Sequence, residues 1–234
     1  MDWDGKPIVM ILQESLQKRP VRAAIVGCGG IAHAHAGSAV LHPDKITLVA
    51  CADVIEERAR DFAAKYHIPS FQTDYLALLE REKPDLVFFA TWPIQHEEQV
   101  LAAIERCVPA ILCEKSLAMN AASATRMALR AKETRTVLVE GFMWRHLPRT
   151  LEVQRMIAEG RIGKLRKIRA GFHALSNDPD NWRRKKEYGG GVVFDFSCYC
   201  VNALGAFAGG LPGSVYAVWK CAADGLIEEL YGLL

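Results

Sequence analysis

At 234 residues the chain has room for one large domain or two small ones, and with half its residues hydrophobic and 24% charged it has the balance of a soluble globular protein. A net charge of +2 with scattered Lys and Arg argues against a nucleic-acid surface, and no apolar run reaches the ~18 residues of a membrane span. Seven cysteines without paired spacing, and neither CxxC nor HxxxH spacing, give no disulfide framework or zinc site to expect.

Residues 1–20 read as a leader outside the fold: acids precede the short apolar stretch from Ile8 to Leu12, whereas a secretory signal begins basic. From Val21 onward strand and helix alternate. The pattern predicts strands at 21–26, 46–52, 85–90, 110–113 and 136–139. It predicts helices at 31–41, 56–66, 95–106 and 121–132. The strands are apolar without polar alternation, as in a parallel sheet covered on both faces. Cys28, Cys51, Cys107, Cys113 and Cys221 lie in apolar segments and read as buried, reduced thiols of a cytoplasmic protein. His33 and His35 are two apart on a helix, which points them to different faces and away from a shared metal.

After Glu140 the character changes. A helix is predicted at 148–159, closed by Gly160, and an alternating strand at 164–172. Residues 176–188 are polar and loop-like, and the basic cluster from Arg183 to Lys186 reads as a solvated loop. The glycines 189–191 open an apolar segment, 192–207, that reads as a buried helix. A turn at 209–213, a strand at 214–220 and the start of another at 224–234 follow. The expected organisation is a leader (1–20), a doubly wound parallel sheet (21–142) and a partial α+β domain with a truncated, mainly antiparallel sheet (143–234).

Gly27-Cys28-Gly29-Gly30-Ile31-Ala32 follows the first strand and opens the first helix, fitting G-x-G-x-x-A. Gly27 permits the tight turn, Gly29 lets the backbone approach a pyrophosphate, and Ala32 lets helix and strand pack closely. The helix start at Gly29, Gly30 and Ile31 offers N–H groups and partial positive charge to phosphates. Asp53 ends the second strand about twenty residues on, where a carboxylate binds ribose hydroxyls. Together these features predict a Rossmann-type dinucleotide-binding domain. A carboxylate repels a 2′-phosphate, Val54 and Ile55 supply no cation, and Arg58 lies a full turn into the next helix, so NAD is expected over NADP.

The motifs GCGGIA (27–32), TWPIQH (91–96), CEKS (113–116), EGFMWR (140–145) and GGGVVFDFSCYCVN (189–202), together with Asp53, occur in order. With them the chain resembles the Gfo/Idh/MocA oxidoreductases, and within that family the dimeric dihydrodiol and D-xylose dehydrogenase branch. The resemblance implies an NAD(P)-dependent oxidoreductase acting on CH–OH groups of a sugar, polyol or cyclic diol, assembled as a homo-oligomer without nucleic-acid or membrane partners.

By the same resemblance Glu114 and Lys115 match a Glu-Lys-Pro signature, and Lys115 sits beside nicotinamide and substrate hydroxyl. Removing hydride from a carbinol requires the hydroxyl proton to leave too, and a partly desolvated lysine beside a cationic ring suits that task. Ser116 stands in place of the signature proline, which loosens the turn that aims Lys115. Asp195 and Tyr199 match pocket-lining residues and, four apart on a helix, share a face that Asn202 extends. Their plainer reading is a helix cap and a core aromatic. Thr91 and His96 match a loop that touches the nicotinamide side, although His96 reads equally as a structural hydrogen-bonder. Trp144 and Arg145 border cofactor and substrate in the family, and a Trp there is as often packing. Ser116 and the short second domain leave two other readings open: a non-catalytic dinucleotide-binding protein, and a glycosidase-like enzyme that uses NAD transiently.

Overall fold

A computed structural model describes residues 19–174 and 181–233; the expected leader up to residue 18, and part of the expected loop at 176–188, lie outside the described residues. Contacts divide the chain into two units, the first ending at Glu140 and the second beginning at Gly141.

The first unit holds a six-stranded sheet of β1 (Val21–Val26), β2 (Ile46–Ala52), β3 (Phe71–Gln72), β4 (Leu86–Phe89), β5 (Ala110–Cys113) and β6 (Val137–Glu140). Its spatial order is β3-β2-β1-β4-β5-β6, with every pairing parallel. That order is the one that dinucleotide-binding doubly wound sheets use. The helices are α1 (Gly30–Val40), α2 (Glu56–Tyr66), α3 (Tyr75–Glu82), α4 (Pro93–Glu105) and α5 (Ala121–Thr134).

Alternation along the strands builds two cores. Ala23 and Ile25 pack with Ala32, Ala36 and Ala39 of α1 and Phe62 of α2. Ala24 and Val26 point the other way, into Leu78, Val100, Ile104 and Met127 of α3, α4 and α5. Successive side chains of a strand face opposite sides, so a strand apolar at every position must be covered twice. Two elements lie outside the expected ones: β3 is too short to show a period, and α3, whose start the Asp74 carboxylate caps by accepting the Leu76 N–H at 2.8 Å, buries Leu78 and Leu79.

Register fixes what emerges at the carboxyl edge. Ala52 pairs with Val26, Val26 with Phe89, and Phe89 with Cys113. The next residues along each strand, Asp53, Gly27, Ala90 and Glu114, therefore leave the sheet level with one another.

The second unit contains α6 (Pro148–Ala158), a π-helical turn (Val193–Ser197) running into α7 (Cys198–Ala208), and an antiparallel hairpin of β7 (Tyr216–Cys221) and β8 (Ile227–Leu233). Three expectations need correction. Residues 164–172 form no strand, since among the described residues no neighbour pairs with them, and an unpaired strand leaves its backbone groups unbonded. The segment 192–207 is helical but not a buried helix: Asp195 is its buried residue, and Val201 is 54% exposed. Cys107 and Cys221 are exposed rather than buried.

Residues 186–208 are long and apolar enough in composition to cross a membrane. Gly189 and Gly191 at positive φ and the π turn divide that stretch. The 11 residues of α7 rise about 16 Å, roughly half of a bilayer core.

Candidate dinucleotide and catalytic site

The glycine turn is built by the sheet edge beneath it. Gly27 has φ +87°, and a Cβ there would sit 2.8 Å from the Ala90 carbonyl oxygen and 2.9 Å from the Thr91 Cγ2. Only glycine lets the chain pass that close to the end of β4. At Gly29 and Gly30, by contrast, a Cβ would meet nothing within 4 Å, so space opens above the start of α1. The first N–H groups of a helix have no carbonyl of their own helix to bond, and here they face that open space with the positive end of the helix dipole. The cleft encloses about 140 Å³ and is lined by Gly27, Gly29, Asp53, Arg58, Tyr75 and Thr91 among others. An open glycine cradle beside a helix start, with a carboxylate at its rim, fits a dinucleotide.

Asp53 is tied into that turn. Its Oδ2 accepts the Cys28 N–H at 2.9 Å, its Oδ1 accepts the Ile55 N–H at 3.0 Å, and the Arg58 guanidinium lies 3.6 Å from Oδ2. One side chain thus holds the glycine turn and the end of β2 together.

Across the edge, the segment carrying Glu114 and Lys115 is anchored from several directions. The buried Glu114 carboxylate contacts His35 Nε2 at 2.8 Å and accepts the Lys115 N–H at 3.2 Å. His35 in turn stacks on Phe88. Ser116 offers its carbonyl to Nδ1 of His96 at 2.9 Å, and Leu117 donates its N–H to Glu140 at 2.8 Å. The Lys115–Ser116 peptide is cis. Lys115 itself is half-buried. Anchors on both sides of Lys115 hold the turn that the loss of the signature proline was expected to loosen.

Two buried groups here are shifted. Burial chiefly, with repulsion from Glu114, holds the Glu140 carboxyl above the usual carboxylate range, and the Leu117 N–H opposes this. Burial likewise lowers His96 below the ordinary imidazole value, against the opposing pull of the Ser116 and Thr91 carbonyls and of Glu114. His96 is 0% exposed, with both ring nitrogens on backbone carbonyls. Through the Ser116 carbonyl it holds the turn that carries Lys115. Thr91 does reach the cleft, where its hydroxyl donates to Gln99 at 2.5 Å.

In the second unit, Asp195 is 2% exposed and sits in the π turn, so it is not a helix cap. Its carboxylate accepts Nε of Arg183. The neighbouring glycines explain how that pair forms. Gly191 N–H donates to the Arg183 carbonyl at 2.8 Å, and a Cβ on Gly190 would lie 2.6 Å from the same oxygen. The backbone of 183–185 lies directly on the glycines, which delivers Arg183 to Asp195. The basic cluster is thus not simply a solvated loop. Tyr199 stacks on Phe172 (centroids 5.5 Å) and meets Phe142 edge-on, with its hydroxyl 3.7 Å from the Met143 sulfur. Trp144 and Arg145 lie on the 3-10 turn Met143–His146; the Trp144 ring packs by Phe207, and Arg145 is exposed. Asn202 Oδ1 and Trp144 Nε1 are buried without a hydrogen-bond partner.

Sequence reasoning missed His35, Glu140 and Arg183 as positioning groups. Each acts on a residue 12 to 79 positions away, beyond any periodicity.

A model of the oxidoreductase family with an NAD-binding Rossmann fold matches residues 21–142, and a model of the GFO/IDH/MocA C-terminal domain matches residues 150–229. The dTDP-3,4-didehydro-2,6-dideoxy-alpha-D-glucose 3-reductase of Actinomadura kijaniata is 29% identical over 213 residues, which are 91% of this chain and 64% of that protein. The trans-1,2-dihydrobenzene-1,2-diol dehydrogenase of Xenopus tropicalis is 31% identical over 187 residues, 80% of this chain and 56% of that protein. A solved 3-ketoreductase from Actinomadura kijaniata, in complex with NADP and TDP-benzene, superposes with a TM-score of 0.80 at 28% identity, covering 89% of this chain and 64% of that one. The chain therefore spans less than two thirds of the length of these relatives.

Proposed function

The chain belongs to the Gfo/Idh/MocA oxidoreductase family, and from that premise we propose that it acts as an NAD-dependent dehydrogenase on a carbinol carbon of a sugar, polyol or cyclic diol. The observation that carries the reading is the shared edge of the sheet. Strand register brings the glycine turn, Asp53 and the Glu114–Lys115 turn out level with one another. Binding groups for a nucleotide and a candidate proton carrier then stand on one rim, where open α/β sheets bind ligands.

When bound, NAD supplies the hydride acceptor. Gly27, Gly29, Gly30 and Ile31 hold the pyrophosphate, Asp53 holds the adenosine ribose, and Thr91 flanks the nicotinamide side. Trp144 and Arg145 border the same ligand, as the family resemblance implies. Lys115 takes the hydroxyl proton as the alcohol becomes a carbonyl, and its anchored turn limits where the amine can reach. Asp195 and Tyr199 bind the substrate oxygens, with Arg183 orienting the Asp195 carboxylate. The sugar reductase and the diol dehydrogenases among its relatives support the substrate class. The seven free cysteines agree with a cytoplasmic setting.

The test is NADH binding by fluorescence, followed by a screen of pentoses, inositols and cyclic diols for formation of reduced nicotinamide. Lys115→Ala should lower turnover by about 10²- to 10⁴-fold and leave NADH affinity within about twofold. Binding without turnover on any of these substrates, in a folded sample, would favour a non-catalytic dinucleotide-binding protein.

A further inference from the structure

α1 serves two places at once. It begins at Gly30, beside the cleft-lining Gly27 and Gly29, and one and a half turns on it carries His35. His35 follows the buried Ala32 by three positions and precedes the buried Ala39 by four, so it lies on the helix face turned to the sheet. There its ring stacks on Phe88 of β4, with centroids 5.1 Å apart, which fixes where Nε2 points. His33 turns away from this face to the Tyr66 hydroxyl of α2. A carboxylate only accepts, so His35 Nε2 donates to Glu114 Oε1, at 2.8 Å, while Glu114 Oε2 accepts the Lys115 N–H at 3.2 Å. One carboxylate oxygen thus belongs to the helix and the other to the peptide of Lys115. The Glu114 side chain is 8% exposed and that of His35 18%. With so little water at hand, an oxygen that loses its protein donor must turn to find another. Turning it takes the second oxygen off the Lys115 N–H.

We propose, on the dehydrogenase reading of this edge, that His35 is a positioning residue for Lys115: it ties the Lys115 turn to the helix whose start seats the dinucleotide, so one rigid element places both cofactor and amine. His35 acts through Glu114 and needs no contact with substrate or cofactor. The other anchors of the turn do not duplicate it. His96 holds the Ser116 carbonyl and Glu140 the Leu117 N–H, both after Lys115 in the chain. His35 works on the residue directly before the lysine. Losing it frees one end of the turn with the other still held, which moves the amine and leaves the sheet in place. A displacement of about 1 Å can cost a reacting pair 10²-fold in rate.

The experiment compares the native full chain with His35→Ala and with His35→Gln, which keeps an N–H donor for Glu114. Amide hydrogen exchange reads the turn without any substrate. In His35→Ala the Lys115 amide should exchange about tenfold faster or more, the range of a lost hydrogen bond to a charged group. Leu117, held by Glu140, and the amides of α1 and β5 should keep their native rates, and His35→Gln should restore most of the protection. On whichever alcohol the native chain oxidises, His35→Ala should lower kcat about tenfold or more, with KM and the Kd for NADH within about twofold. His35→Gln should recover kcat to within about threefold of native, as a restored donor requires. An unchanged Lys115 amide, a general rise in exchange across α1 and β5, or kcat, KM and Kd worsening together overturns the proposal. So does an unmoved kcat in His35→Ala beside intact native turnover, an outcome that leaves the dehydrogenase reading standing. If the native chain binds NADH and oxidises no alcohol, the dehydrogenase reading fails and takes the role of His35 with it.

Discussion

Lys115 has Glu114 on one side and Ser116 on the other, and each neighbour is fixed by a group from a different element. His35 reaches Glu114 from α1, His96 reaches Ser116 from α4, and Glu140 reaches Leu117 from the end of β6. Of these, Glu140 gives a pH-dependent prediction. Its carboxyl is raised in the folded state, chiefly by burial. A raised acid contributes stability that is fully present below its unfolded value and is lost as pH rises through the folded one. Above its unfolded value the group therefore costs stability. Glu140→Gln keeps an oxygen for the Leu117 N–H and removes the charge. The variant should show a higher urea midpoint than the native chain at pH 7, and the gain should vanish near pH 4. An equal gain at both pH values, or a loss at pH 7, would sink the assignment.

At the scale of elements, the β1–α1 turn and the helix caps carry the most specific consequences. A side chain at 27 would have to adopt a left-handed backbone and push against the end of β4. Gly27→Ala should cost about 2–5 kcal/mol and abolish nucleotide binding even where the sheet survives, as read by denaturant melts and NADH fluorescence. Native-like affinity would show that the turn is looser than the geometry says. At α5, Asn120 accepts the Ser123 N–H at 2.9 Å. Asn120→Ala should lower stability by about 0.5–2 kcal/mol with NADH affinity unchanged, because the cap satisfies one orphan donor and is remote from the cleft residues. A neutral result in urea unfolding would mean that solvent replaces the cap without loss.

For the whole molecule, the hairpin of the second unit decides the next prediction. Tyr216, Trp219 and Tyr231 are 63%, 61% and 63% exposed, on strands paired only with each other among the described residues. Large aromatics exposed on a two-stranded ribbon mark a surface that associates. Light scattering at low micromolar concentration should give a mass of at least two chains, and Trp219→Glu should shift it toward one. A clean monomer of the native chain would count against the homo-oligomer that the family resemblance implies.

The sequence by itself determined the doubly wound sheet, the glycine turn and Asp53. These depend on local signals: apolar runs of strand length, helical periodicity, and glycines at fixed spacing after a strand. The same signals misled where burial had to be inferred from apolarity. Residues 192–207 are apolar and helical yet half-exposed, and 164–172 alternates like a strand without a neighbour to pair with. Only the tertiary structure decided which polar groups meet. The bond from His35 to Glu114 spans 79 residues, and that from Arg183 to Asp195 joins a loop to a π turn across three glycines. Arg58, in the first turn of α2, lies 3.6 Å from the Asp53 carboxylate, a pairing that spacing did not give. Strand and helix are chosen by each residue's near neighbours, whereas an ion pair depends on distance in space, which the packing of sheet and helices sets.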